Sequence, residues 1–196
     1  GLLGSCADIH MGDDVVHAII PLPGEHMIYN AMAAAAVALQ FGMSKEEIAA
    51  GISHVEAVAG RSHLVEAGDK VIIDDCYNAN PVSMKAAIDL LATAPGRKVA
   101  ILGDMFELGE NEKAMHGEVG AYAAEKGIDL ILCVGELSEA MYQEAVGSGG
   151  NAKYYETREA LEAVLNEILQ QGDTVLVKAS HSMAFENLVK CIQVNQ

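Results

Sequence analysis

The chain has 196 residues, about half of them apolar, and a formal net charge of −16. That length suits one large domain or one and a half ordinary ones, and it can bury a substantial core. The acidic balance argues against nucleic acid or an anionic membrane as a non-specific partner, since phosphate is repelled at long range. A nucleotide can still be held locally by backbone N–H groups and a few basic side chains.

Four cysteines, Cys6, Cys76, Cys133 and Cys191, do not pair at zinc-ligand spacing, and a chain this long needs no disulfide staples. They read as reduced thiols of a cytosolic protein. Cys133 lies in an apolar strand. Cys76 follows two aspartates with no basic partner beside it, which favours packing over a nucleophilic role. No stretch reaches the roughly 18 apolar residues of a membrane span, and none resembles a signal peptide. The opening Gly1-Leu2-Leu3-Gly4 lacks an initiator Met and runs straight into mid-domain sequence, so the chain is expected to be a fragment of a longer protein.

Residues 1–22 read as sheet edge. Val15 to Ile20 is a strand, preceded by the turn Met11-Gly12-Asp13-Asp14. Pro21 to Gly24 breaks the pattern, and a helix runs from His26 to Phe41. Ala31, Ala33 to Ala36 and Ala38 allow close packing against that helix. Ser44 caps a second helix, Lys45 to Ile52, with Glu46 and Glu47 in its first turn, where the dipole favours them. Residues 53–69 read as a connection, with a domain boundary near Glu66 to Gly68. His54 and His63 there are solvated loop residues, because no ligand set accompanies them. Arg61 is a lone arginine in an acidic neighbourhood. Both a bidentate phosphate contact and a surface ion pair are open to it.

From residue 70 strands and helices alternate. Val71–Asp75, Lys98–Leu102, Leu130–Val134, Lys153–Tyr155 and Val175–Val177 read as strands. Val82–Ala92, Glu110–Lys126, Ser138–Val146, Thr157–Gln171 and Ala184–Val194 read as helices. Asn80 is a good N-cap, and Pro81 suits the first helical position. Short apolar strands alternating with amphipathic helices predict an α/β fold, a Rossmann-like and mostly parallel sheet covered by helices on both faces.

Parallel strands bring their carboxyl ends to one edge, where open α/β sheets bind ligands. The residues delivered there are Asp74-Asp75-Cys76-Tyr77-Asn78, Gly103 to Gly109, Gly135-Glu136 and Lys178-Ala179-Ser180-His181-Ser182. Asp74 and Asp75 could satisfy backbone N–H groups of the next turn, or Asp75 could meet a ligand. Asp104 could cap the turn before the helix at Glu110. Lys178 could neutralise a carboxylate or phosphate. His116, inside a helix, reads as surface or core. No G-x-x-x-x-G-K-[ST] loop and no G-x-G-x-x-G turn is present.

Asp74 to Pro81 closely resembles the D-D-S-Y-N-A-N-P signature of the Mur ligase family, in the branch acting on D-alanyl-D-alanine. Leu102 to Gly109 resembles its L-G-D-M-x-E-L-G. Pro23 to Ala31 is similar to G-x-H-N-x-x-N-A, Gly60-Arg61 to G-R, and Val177 to His181 to V-K-G-S-R. The five occur in the family's order across nearly the whole chain. Met27 stands where the family has Asn, Ala179 where it has Gly, and His181 where it has Arg. The last change removes a permanently charged fork.

The resemblance implies a cytoplasmic, monomeric ATP-dependent ligase of peptidoglycan precursor synthesis, using ATP and Mg²⁺. It would join D-Ala-D-Ala to UDP-MurNAc-tripeptide through an acyl phosphate. It also implies that residues 1–66 close a central ATP-binding domain and that 67–196 form a C-terminal Rossmann-like domain. Asn30 would contact the adenine, Arg61 the ATP phosphates, and Asp75 the ribose or hinge. Tyr77, Asn78, Asn80, Asp104, Lys178, Ser180 and His181, with the Gly103 to Leu108 loop, would flank the dipeptide. No residue here is expected to hold the metal or act as acid, base or nucleophile, and without a P-loop the chain alone is expected to be inactive. A stand-alone nucleotide- or ligand-binding module is the competing reading. A Rossmann oxidoreductase is disfavoured by the missing glycine fingerprint.

Overall fold

Alternation of Val16, Ala18 and Ile20 turns three apolar side chains to one face of a strand, and all three are buried. In the computed structural model, which describes residues 1–194, that strand is β2 (Asp14–Ile20). It pairs antiparallel with β1 (Ser5–Met11) through a two-residue turn, in the register Met11 to Asp14 and Ser5 to Ile20. β1 lies in the stretch read only as sheet edge. Helix α1 (His26–Gln40) places Ala31 and Ala35 against the hairpin, and α2 (Lys45–Ser53) adds Ile48 and Ile52. Of the alanine run, Ala33, Ala34 and Ala36 are exposed. Ser44 caps α2 as expected: its hydroxyl accepts from the Glu47 N–H, and the Glu47 carboxylate accepts from the Ser44 N–H at 2.8 Å.

Those elements form one compact unit, Gly1–Val58; a second begins at Ala59. The expected boundary at Glu66 to Gly68 falls within a β-hairpin. β3 (His63–Ala67), in sequence read as connection, pairs antiparallel with β4 (Lys70–Asp74) through Gly68-Asp69. Its alternation is too short to stand out, because only Ala67 is fully buried.

The remaining strands are β5 (Lys98–Gly103), β6 (Leu130–Val134), β7 (Ala152–Tyr155) and β8 (Thr174–Lys178). The sheet order is β3-β4-β8-β5-β6-β7, parallel apart from β3. The steps β4 to β5, β5 to β6 and β6 to β7 run in one direction. Right-handed crossovers therefore put α3 (Pro81–Ala92), α4 (Glu112–Glu125) and α5 (Ser138–Gly147) on one face. The return from β7 to β8 puts α6 (Arg158–Glu162) and α7 (Leu165–Ile168) on the other. The helix expected over Thr157–Gln171 breaks at Val164, where φ is −121°, yet Leu161 and Leu165 stay buried against the sheet. The last helix, α8 (Glu186–Val194), joins them through Leu188, Val189 and Ile192.

Helices α4 and α5 approach closely because α4 carries glycine at the contact. A Cβ on Gly120 would lie 1.9 Å from the Met141 carbonyl oxygen, which is backbone and cannot yield. Gly120→Ala is expected to destabilise the chain by about 3 kcal/mol in urea unfolding, the upper range for overpacking. Gly117 is the internal control. Its Cβ would crowd the Glu144 side chain at 2.8 Å and meet backbone only at 3.8 Å, an ordinary contact, so Gly117→Ala should change stability far less, the gain in helix propensity offsetting the small shift.

Candidate functional site

Strand order decides which strand ends meet. β8 lies between β4 and β5, with Asp74 opposite Val177 and Leu102 opposite Lys178. The chain leaves β4 and β5 toward one face and β8 toward the other. The carboxyl ends of these three strands thus flank a topological switch point, the usual crevice of an open α/β sheet. Gly135-Glu136, after β6, lies one strand further out.

At the β4 end both aspartates reach back to the segment before β3. Asp74, buried, accepts the Gly60 N–H at 2.9 Å, and Asp75 accepts the Ser62 N–H at 2.9 Å. The Tyr77 N–H closes the turn on the Gly60 carbonyl at 3.0 Å. Ser62, itself buried, sits at φ +50°, a conformation these bonds hold in place. Between the two clamped residues stands Arg61, its side chain turned outward over the Tyr77 ring, with the guanidinium carbon 4.2 Å from the centroid. The His181 ring lies 5.4 Å from the same tyrosine. Arg61, Tyr77 and His181 thus form an exposed cationic and aromatic group at the switch point.

Beneath it Lys178 is 2% exposed, and its ammonium makes three contacts: Asp75 Oδ2 at 2.6 Å, the Asn78 carbonyl at 2.8 Å and the Asp75 carbonyl at 3.4 Å. Three N–H groups and three acceptors leave nothing for an external anion. In the structure Lys178, expected to flank the dipeptide, neutralises Asp75 and ties β8 to the loop after β4. Asp75 in turn is spent on Ser62 and Lys178, so the structure turns its carboxylate inward rather than toward a ribose.

Two more expected ligand residues, Asp104 and Ser180, also face inward, while Asn80 is exposed at a helix start. Asp104, 4% exposed, accepts the Ser138 N–H at 2.8 Å and its hydroxyl at 2.7 Å. It therefore serves the start of α5, not the turn before Glu110. Ser180, buried, accepts the Phe106 N–H at 3.0 Å, and its own N–H donates to the Asp104 carbonyl. Asn80 forms a reciprocal cap with Ser83 at the start of α3. Asn78 is exposed, its side-chain oxygen accepting the Ala79 N–H. Ala179 fits because its neighbour Gly103 lacks a Cβ: one there would come 2.7 Å from the Ala179 Cβ.

Sequence reasoning missed several of these parts. Ser138 gave no signal, since its partner is 34 residues away. His116 is fully buried and anchors the loop after β5: its Nε2 accepts the Met105 N–H at 2.8 Å, and its Nδ1 donates to the Glu112 carbonyl at 2.7 Å. Those bonds require the neutral ring with the proton on Nδ1. Cys76 is a buried thiol whose Sγ donates to Asp74. Burial first, then its bond to Asp74, pushes the thiol far above its ordinary range. Burial likewise pushes Cys133 up to about 12. In the first unit Asn30 is exposed, and its amide rests on the Met27 sulfur at 3.4 Å. Among the described residues no group of three or more His, Cys, Asp or Glu could hold a metal ion, and no helix is long and apolar enough to cross a membrane.

The second unit is thus a doubly wound α/β domain whose ligand edge presents an arginine on a clamped turn. The chain belongs to the Mur ligase family: the model of the Mur ligase glutamate ligase domain matches residues 60–181. The UDP-N-acetylmuramoyl-tripeptide–D-alanyl-D-alanine ligase of Escherichia coli (strain K12) is 40% identical over 183 residues, covering 92% of this chain and 40% of the relative. That of Bacillus subtilis (strain 168) is 38% identical, covering 87% and 38%. Among solved structures, MurF from Acinetobacter baumannii superposes with a TM-score of 0.89 at 30% identity, covering 98% of this chain and 43% of that one. The chain therefore spans about two fifths of the length of the relatives it matches.

Proposed function

We propose that this chain is the C-terminal part of an ATP-dependent ligase that joins D-Ala-D-Ala to UDP-N-acetylmuramoyl-tripeptide in peptidoglycan precursor synthesis. The observation that carries the reading is the Gly60-Arg61-Ser62 turn, held by Asp74 and Asp75 so that Arg61 projects at the switch point. A planar fork fixed in that way suits the phosphates of ATP. Residues 1–58 are the tail of the ATP-binding domain, where Asn30 contacts the adenine. The protein acts as a cytoplasmic monomer.

In the reaction the tripeptide carboxylate attacks the γ-phosphorus of ATP, giving an acyl phosphate and ADP. The dipeptide amine then attacks the acyl carbon, and phosphate leaves. Such transfers depend on positioning and charge neutralisation. In this proposal Arg61 neutralises phosphate charge, and the exposed Tyr77, Asn78 and His181 border the dipeptide. Asp75 and Lys178 hold the turn rather than touch substrate. Among the described residues no His, Cys, Asp or Glu cluster suits the Mg²⁺ that accompanies ATP, whose ligands in this proposal come from the remainder of the ligase.

The test is ADP formation with UDP-N-acetylmuramoyl-tripeptide and D-Ala-D-Ala present. The full-length ligase should release ADP only when both are supplied, and the 196-residue chain should release none. ADP made by the chain alone, or none made by the full-length protein, would overturn the proposal.

A further inference from the structure

The turn that carries Arg61 is pinned on both sides of it, and each pin is a carboxylate from the end of β4. Asp75 Oδ1 takes the Ser62 N–H, and Lys178 braces its other oxygen at 2.6 Å. Asp74 is the more demanding case. It is 7% exposed and forms no ion pair among the described residues. Its Oδ2 takes the Gly60 N–H at 2.9 Å, and its Oδ1 takes the Cys76 thiol at 2.9 Å. A buried carboxylate held by two neutral donors keeps its place only while both bonds are made. An oxygen left without a donor in the interior costs free energy and is drawn toward water.

Cys76 is buried, and burial first, then the bond to Asp74, keeps its sulfur protonated. It therefore meets the carboxylate as a donor and not as a second anion. What Asp74 fixes in turn is the Gly60 peptide. The Gly60 N–H goes to Asp74, and the Gly60 carbonyl takes the Tyr77 N–H at 3.0 Å. Gly60 stands at φ +77°, and a Cβ there would come within 3.3 Å of the Tyr77 nitrogen, so the two segments lie in close approach. Arg61 leaves from the next position, with its guanidinium over the same tyrosine. We propose that Cys76 is a positioning residue for Arg61: its thiol orients the Asp74 carboxylate, and the carboxylate sets the turn from which the guanidinium reaches phosphate. The assignment rests on the function proposed above. No covalent or redox step falls to the sulfur.

The test is ATP kinetics of the full-length ligase with both co-substrates present. Cys76→Ala removes the donor and should lower kcat/KM for ATP about tenfold, the scale of one hydrogen bond to a charged group. Cys76→Ser keeps a donor and should stay within about twofold of the wild type. Cys76→Val and Cys76→Thr repeat the comparison at matched shape, with valine low and threonine high, where alanine leaves too little folded enzyme. Placed on Arg61→Ala, Cys76→Ala should lower kcat/KM no further, because the residue it positions is gone. Wild-type kcat/KM in Cys76→Ala overturns the assignment. So does an equal loss in Cys76→Ala and Cys76→Ser, since the bulk of the sulfur would then be responsible, and so does a full further loss on top of Arg61→Ala. In each of these cases the enzyme still turns over ATP, and the proposed function stands. A wild-type enzyme that turns over no ATP with these substrates defeats the proposed function and the assignment with it.

Discussion

Lys178→Met is expected to lower the stability of the chain by about 3–5 kcal/mol, the usual cost of removing one partner of a buried ion pair. The magnitude follows from what is left behind. Asp75, only 15% exposed at its side chain, would keep the Ser62 N–H but lose its counter-charge at 2.6 Å. Two carbonyls, of Asp75 and Asn78, would lose a donor in the same place. Methionine fills much of the volume, so the loss is electrostatic rather than a cavity. Against a total of about 5–15 kcal/mol for an ordinary domain, this is a large fraction. Removing both charges with Lys178→Met and Asp75→Asn should cost less than the lysine change alone, because no unpaired carboxylate remains. Urea unfolding of the three variants checks this. A single-variant loss under about 1 kcal/mol, the range of surface pairs, would show that solvent reaches the pair.

Arg61→Ala in the full-length ligase should reduce kcat/KM for ATP by about 10²- to 10³-fold, the scale of removing one preorganised group that stabilises transferring charge. The fold should hardly notice. The side chain is exposed, and its stacking on Tyr77 is worth about 0.5–1 kcal/mol at such a site. Arg61→Lys should recover only part of the activity, since an ammonium keeps the charge but loses the planar fork. Steady-state kinetics with a melting curve for each variant decides it. Near-normal kcat/KM in Arg61→Ala would remove this residue from the phosphate side. Asp74 and Asp75 make the two predictions converge: releasing the turn through Lys178 should also loosen Arg61.

The two results draw on different parts of the site, and these were unequally legible beforehand. Asp74 to Pro81 announces itself as a strand that ends in polar residues and feeds a capped helix, because those are local choices of propensity and N-cap chemistry. Arg61 was visible as a lone arginine beside a boundary, but not its task. The bonds that present it join residues 13 and 14 positions apart. Inward-facing residues were the least legible. Lys178 and Asp75 are 103 residues apart, and Asp104 reaches 34 residues to Ser138. Polar residue types at a strand end look alike in sequence whether they greet a ligand or a distant backbone N–H.

By itself, then, the sequence determined the α/β class, most of the strands and helices after residue 70, the Ser44 and Asn80 caps, and the set of polar strand ends. Each depends on residues within a few positions of one another, through the helical and strand periods and the chemistry of chain reversal. Tertiary structure alone decided that β8 inserts between β4 and β5, that β3 joins the sheet, and that Lys178, Asp75, Asp104 and Ser180 face inward while Arg61, Tyr77 and His181 face out. The reason is physical. Strand order and side-chain partnering are set by minimising unpaired buried polar groups over the whole domain at once, a condition no short window of sequence contains.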